Sequence, residues 1–181
     1  MELFGAWYDD YMVNIFRSQK TARTLSNRKE EAEFGPGKAG ALICPTCGAY
    51  YFKKSWHHGA EQFFKENTEV ATKQSLCPAC KMIKEHLYEG RIVISDVPLQ
   101  YEEELGNLIH NHSHTSWEKD PMDRLISYKK EGKTFVATTT ENQMAQKLAR
   151  KIKDVFNKVE LQISHGKEPS DVVEIKIQFV D

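Results

Sequence analysis

From residue 91 onward the chain alternates between two hydrophobic periods, and each block predicts one element. Residues 91–97, Arg-Ile-Val-Ile-Ser-Asp-Val, form a short apolar run closed by Pro98, as in a buried strand. Residues 100–110 set Leu105, Leu108 and Ile109 on one helical face, and the polar segment after them is expected to fray before Asp120-Pro121, since a residue preceding proline disfavours helix. Leu125-Ile126-Ser127-Tyr128 and residues 134–138 flank Lys129-Lys130-Glu131-Gly132-Lys133, which predicts a hairpin. Met144, Leu148, Ile152 and Phe156 then recur every four residues on a helix for which Thr139 or Thr140 is the expected cap. Val159, Leu161 and Ile163, and after a His165-Gly166-Lys167-Glu168-Pro169 loop Ile175, Ile177 and Phe179, alternate with polar residues as half-buried strands do.

The first half is patterned differently. Phe4, Trp7, Tyr8, Tyr11, Met12, Ile15 and Phe16 fall at helical spacing, so residues 1–16 are expected to form a short amphipathic helix. Gly35-Pro36-Gly37-Lys38-Ala39-Gly40 marks a linker. Beyond it, residues 49–56 have the aromatic content of one strand, residues 61–69 read as a helix, and residues 81–89 as another that Gly90 stops. The expected organisation is an N-terminal helix and basic arm over residues 1–37, a metal-binding module over 38–90, and a small α+β domain with a mostly antiparallel sheet over 91–181.

Cysteine placement supplies the chemistry. Cys44-Pro-Thr-Cys47 and Cys77-Pro-Ala-Cys80 use all four cysteines of the chain, and two CxxC turns are what one tetrahedral four-cysteine site requires. The expected cofactor is one structural zinc ion held by Cys44, Cys47, Cys77 and Cys80. The 29 residues between the turns, 48–76, exceed a plain ribbon spacing and predict an inserted hairpin or helix. Three alternatives fit less well. A redox CxxC stands alone beside a βαβ pattern; structural disulfides need an oxidising compartment, whereas residues 1–16 lack a basic n-region and cleavage site; iron in a four-sulfur site is compatible with the same ligands. A closed shell of four thiolates leaves no coordination position for water, so the metal is expected to hold the fold and do no chemistry.

Charge changes the picture through its distribution. Lys and Arg number 25 against 26 Asp and Glu, for a net charge of −1, yet residues 17–29 carry Arg17, Lys20, Arg23, Arg28 and Lys29 with no acid. Residues 92–181 hold 15 acids against 12 bases. Basic charge placed early is expected where the arm and the module meet phosphates, although a solvated arm without a partner has the same composition. Tyr50, Tyr51, Phe52 and Trp56 interleave with Lys53 and Lys54, a composition shared by base-stacking surfaces and by the mini-cores of small metal modules. Lys147, Arg150, Lys151, Lys153 and Lys158 lie off the apolar stripe of their helix, as a solvated face or an RNA-facing one would.

No Gly-rich phosphate loop, nucleophile elbow or HExxH motif occurs, so a non-enzymatic protein without a small-molecule substrate is expected. His110, His112 and His114 are the one other candidate cluster, with His57-His58 as a second; a solvated helix end is the expectation over a second metal site. No stretch is apolar enough to span a bilayer, and the expected location is cytoplasmic.

The order of a basic arm, a CPxCG-aromatic knuckle, a CPxC knuckle, Gly-Arg-Ile-Val-Ile-Ser, Asn107-Leu108-Ile109-His110-Asn111, Asp120-Pro121-Met122-Asp123-Arg124-Leu125 and Thr138-Thr139-Thr140-Glu141-Asn142 resembles a group of small uncharacterised bacterial zinc-ribbon proteins. Those are in turn similar to the N-terminal region of the archaeal and eukaryotic ribosomal export adaptor named after the third nonsense-mediated-decay factor. The likeness runs from about residue 17 to residue 181. It implies cysteines as zinc ligands, a protein that sits on the large ribosomal subunit or its RNA, and the α/β domain as a rigid docking body. The charge and aromatic pattern read above makes Arg17, Lys20, Arg23, Arg28, Lys29, Lys53, Lys54 and Trp56 the RNA-facing candidates. The adaptor carries more CxxC pairs than the two found here, so what carries over is ribosome or RNA association. A protein-binding adaptor that docks through its N-terminal aromatic helix is the second expectation.

Overall fold

The computed structural model describes residues 40–166 and 172–180, and the expected N-terminal helix and basic arm lie outside the described residues. Two sheets organise the rest, in a mixed α+β architecture. The smaller combines β1 (Ala41–Ile43), β2 (Tyr50–Phe52), β3 (Ser55–His57) and β4 (Thr72–Gln74) in the order β3-β2-β1-β4, antiparallel except for β1 against β4. Helix α1 (Ala60–Glu66) connects β3 to β4, and α2 (Pro78–Glu85) follows β4.

The single strand expected over residues 49–56 is instead a hairpin. It doubles back at Lys53-Lys54, whose φ angles of 50° and 69° give the both-positive pattern of a type I′ turn. The reversal comes from packing, because alternation now puts Tyr50 and Phe52 against Phe63, with ring centroids 4.4 and 4.8 Å apart, and Tyr51 beside Trp56 on the other face at 5.4 Å. Helix α1 ends before the expected residue 69 because the Asn67 backbone and side-chain N–H groups both bond the Phe63 carbonyl.

The larger sheet runs β6-β7-β5-β9-β8, from β5 (Gly90–Ser95), β6 (Leu125–Glu131), β7 (Thr134–Thr139), β8 (Val159–His165) and β9 (Val173–Phe179). Only β5 and β9 pair in parallel. Helices α3 (Glu102–Lys119) and α4 (Asn142–Val155) cover one face, burying Leu105, Ile109, Leu148 and Ile152 against Ile92, Ile94, Ile175 and Ile177. Gly90 is required where α4 crosses β5: a Cβ there would collide with the Ala145 side chain and the Thr139 hydroxyl. The alternate residues of β5 and β9, among them Arg91, Val93, Glu174 and Lys176, face the side away from α3 and α4.

Three expectations fail here. The helix expected over residues 81–89 runs instead from Pro78 to Glu85, where His86 at φ 55° closes it, and Gly90 opens β5. The polar segment after His110 does not fray: α3 continues to Lys119 because Ser116 is buried and Trp117 is held by His58 and Arg124, so tertiary contacts override weak helix propensity. Neither Thr139 nor Thr140 caps α4. Glu141 occupies that position, while the Thr139 hydroxyl donates to the Glu141 carbonyl and the Thr140 hydroxyl to the Met122 carbonyl. The two bodies share an apolar seam in which Met82, Leu87 and Tyr88 pack with Val172 and Ile126. Among the described residues no helix is long and apolar enough to cross a membrane.

Candidate metal centre

Each half of the centre is built by a local device. After β1, the Cys44 amide donates to the Ala49 carbonyl and the Gly48 amide to the Cys44 carbonyl, 2.8 and 3.0 Å, closing the first knuckle. Gly48 sits there at φ 73°, where a side chain would be strained. In the second knuckle Cys77 caps α2: Pro78 starts the helix without needing its missing N–H, and the Cys80 amide donates to the Cys77 Sγ at 3.3 Å. The helix end therefore offers N–H groups and partial positive charge to sulfur.

The fold brings the four sulfurs within 4.8 Å of one another. Cys47 and Cys77 Sγ lie 3.7 Å apart, which matches the edge of about 3.8 Å in a tetrahedron with metal–sulfur bonds of about 2.3 Å. A disulfide requires about 2.05 Å, and all four cysteines are free. Cys44 and Cys77 are fully buried, Cys80 nearly so and Cys47 half-buried, beneath Trp56, Leu76 and Met122. Burial raises the pKa of the Cys77 thiol and pushes Cys80 up to about 12. At Cys44 burial is outweighed by backbone N–H groups of Cys77, Cys47 and Thr46, which bring it down to about 6. Four sulfurs enclosing one point are a donor set for a metal ion, whose charge would favour the thiolate form of each. Cys44, Cys47, Cys77 and Cys80 would hold it, with no ligand position left over.

The other candidates separate. Trp56 is half-buried against the cysteine cluster, whereas Lys53 and Lys54 are exposed at the hairpin tip, Lys53 with its ammonium 5.4 Å from the Phe52 ring centre. Arg17, Lys20, Arg23, Arg28 and Lys29 lie outside the described residues. The histidines do not converge. His110 packs on the Tyr128 ring, His114 lies 3.6 Å from Glu118, and His112 is half-buried, its pKa lowered by burial and by Lys119, Lys151 and Lys147. His57 donates to the Phe52 carbonyl and His58 to that of Trp117, so both serve packing. Among the described residues the four cysteines are the one set of metal-ligating side chains close enough to share an ion.

A second concentration of charge escaped the sequence. At the start of α4, burial, and after it the charges of Glu89, Asp123 and Asp120, push the Glu141 carboxyl up to about 7. Burial and Asp120 raise Asp123 as well, against Lys147. The signal lay in the two segments most specific to the resemblance, residues 120–125 and 138–148, which the structure joins through Thr140. No family model, curated protein or solved structure matches the chain.

Proposed function

We propose that this chain is a non-enzymatic factor that binds ribosomal RNA, most specifically on the large subunit, with one zinc ion stapling the module that presents its contact surface. The carrying observation is the hairpin tip. Lys53 and Lys54 both occupy left-handed backbone, a conformation that costs residues with side chains about 1–2 kcal/mol each and that glycine or asparagine usually fills. Strain of this kind collects where a side chain is needed for contact. Two exposed ammonium groups on a rigid turn suit phosphates, and the aromatic residues beneath supply stiffness by packing on Phe63 and Phe64. The basic residues 17–29 add to the same charge, and the resemblance of residues 17–181 supports the ribosome as partner. Zinc is favoured over iron because a buried, closed shell of four cysteines needs no redox function to account for it.

Sucrose-gradient sedimentation of the tagged protein tests this reading. Co-migration with ribosomal particles that is lost at high salt, and lost in Lys53→Ala/Lys54→Ala, is the expected result; absence of co-migration in growth and in stress overturns it.

A protein-binding adaptor is the second reading, favoured by one feature. Exposed Tyr101 packs on the Phe156 and Phe179 rings, and the other large hydrophobics exposed among the described residues, Leu99, Val155 and Val180, lie within two positions of one of these three rings in the chain. If Tyr101→Ser abolishes particle association while the lysine changes do not, the adaptor reading replaces the RNA one.

A further inference from the structure

The face of the larger sheet turned away from α3 and α4 contains a cleft of about 80 Å³ lined by Arg91, Ser127, Lys129, Thr138 and Val136, with Tyr88 and Glu131 completing the wall. Register explains why these residues meet. Ser127 pairs with Thr138 and Thr138 with Arg91 across three neighbouring strands, and Lys129, Val136 and Val93 form the next row. All lie on the side opposite α3 and α4, and the flanking strand β9 adds Lys176 beside Val93.

The chemistry of the lining is that of an anion site. Arg91 brings up to five N–H donors on a side chain only 20% exposed, and its ion-pair contact, to Glu174, is at 4.0 Å, longer than a hydrogen bond. The Ser127 and Thr138 hydroxyls are 2.8 Å apart and share one hydrogen bond, which leaves the second hydroxyl proton for another acceptor. Lys129 adds a second cation. Glu131 is the one acid in the lining, so the cleft carries more positive than negative charge, with Glu174 and Lys176 offsetting each other beside it. The volume has room for roughly two to three water-sized groups, the scale of one tetrahedral oxyanion. A planar guanidinium next to paired hydroxyls favours phosphate over a carboxylate, because three oxygens of a phosphate can be contacted at once.

We propose that this cleft binds a phosphate group, presented either by an RNA backbone or by a free phosphomonoester. The inference stands apart from the hairpin reading, since no residue lining the cleft belongs to the β2–β3 hairpin or to the four cysteines.

Amide NMR of the full, metal-loaded chain tests it, with inorganic phosphate as probe and chloride at matched ionic strength as control. Saturable shifts at Arg91, Ser127, Lys129 and Thr138 are expected, and Arg91→Gln should weaken phosphate affinity about tenfold through loss of a charge-assisted hydrogen bond. Lys129→Gln, at an exposed position, should weaken it severalfold and keeps the test open if Arg91→Gln melts early. Shifts that do not saturate, or affinities unchanged in both variants, overturn the proposal. With phosphate bound, an unphosphorylated oligouridylate identifies the source. Displacement assigns the site to an RNA backbone; phosphate binding that the oligonucleotide does not disturb assigns it to a free phosphomonoester and leaves the proposal standing even if the RNA reading fails.

Discussion

The Thr140 hydroxyl donates to the Met122 carbonyl at 2.6 Å, and Met122 in turn packs on the cysteine cluster. The same hydroxyl accepts from the Arg124 amide at 2.9 Å, so one buried side chain fixes the loop between α3 and β6 to the start of α4 and, through Met122, to the metal centre. Thr140→Val keeps the shape and removes both bonds. It is expected to destabilise the C-terminal body by about 1–2 kcal/mol, because a half-buried carbonyl and a half-buried amide lose their partner. Urea unfolding followed by tryptophan fluorescence measures it, and a change below the fitting error contradicts the role assigned to Thr140.

One metal ion per chain is expected, with zinc the element found by elemental analysis. Cys44→Ser or Cys77→Ser should release it and unfold residues 40–85, since metal binding on the order of 10 kcal/mol exceeds what a module of this size gains from its own core. Iron in the analysis, or a metal-free protein with the module intact, goes against the assignment.

Chelation should be selective. The main core, from Ile92 to Phe179, draws no side chain from the metal module, whereas Met82, Leu87 and Tyr88 of the seam lose their support when the module melts. Amide spectra after chelation are expected to keep the β5 to β9 signals and to broaden those of residues 40–85. Collapse of every signal would show that both parts depend on one core.

Lys54→Gly separates stability from binding at the hairpin. Relief of left-handed strain outweighs the added glycine entropy and should stabilise the module by about 1 kcal/mol. The lost phosphate contact should lower the salt slope of RNA binding by about one unit. Melting curves and affinities at two salt concentrations read the two effects; a variant that melts later and binds RNA with an unchanged slope removes Lys54 from the interface.

Stability should fall with rising pH across a window set by Glu141. Its folded pKa of about 7 stands above the ordinary value of 4.5, so the folded protein holds a proton that the unfolded chain releases between those values. The neutral carboxyl is favoured below about 4.5, and the penalty of an ionised carboxylate beside Glu89, Asp123 and Asp120 grows until the pH passes about 7. Glu141→Gln should be the more stable form at pH 8 and should flatten the profile. Unfolding midpoints that track each other in both proteins across pH 5–8 would count against this coupling.

Elements with a periodic or local signal could be read from the chain before it was folded. The alternation of Val159, Leu161 and Ile163 with that of Ile175, Ile177 and Phe179 became β8 and β9, paired in the register that keeps all six on one face. The Met144, Leu148, Ile152 and Phe156 stripe became the buried side of α4, and two CxxC turns became a single cluster of sulfurs. Such features are legible because a repeat of two or of about 3.6, or a fixed ligand spacing, is written into neighbouring residues. Long-range packing set the rest. Nothing local says that Lys53-Lys54 reverses the chain, since the turn is held against its own preference by rings packing on Phe63. The polar stretch from Asn111 to Lys119 stays helical because Trp117 meets His58 from the other body, a contact across 59 positions. Thr140 turned from an expected cap into a tie to Met122, and Arg91 reached Ser127 and Lys129 only once β5, β7 and β6 lay side by side. Each of these outcomes depends on contacts between residues far apart in sequence, whose free energy exceeds the weak local preferences they displace.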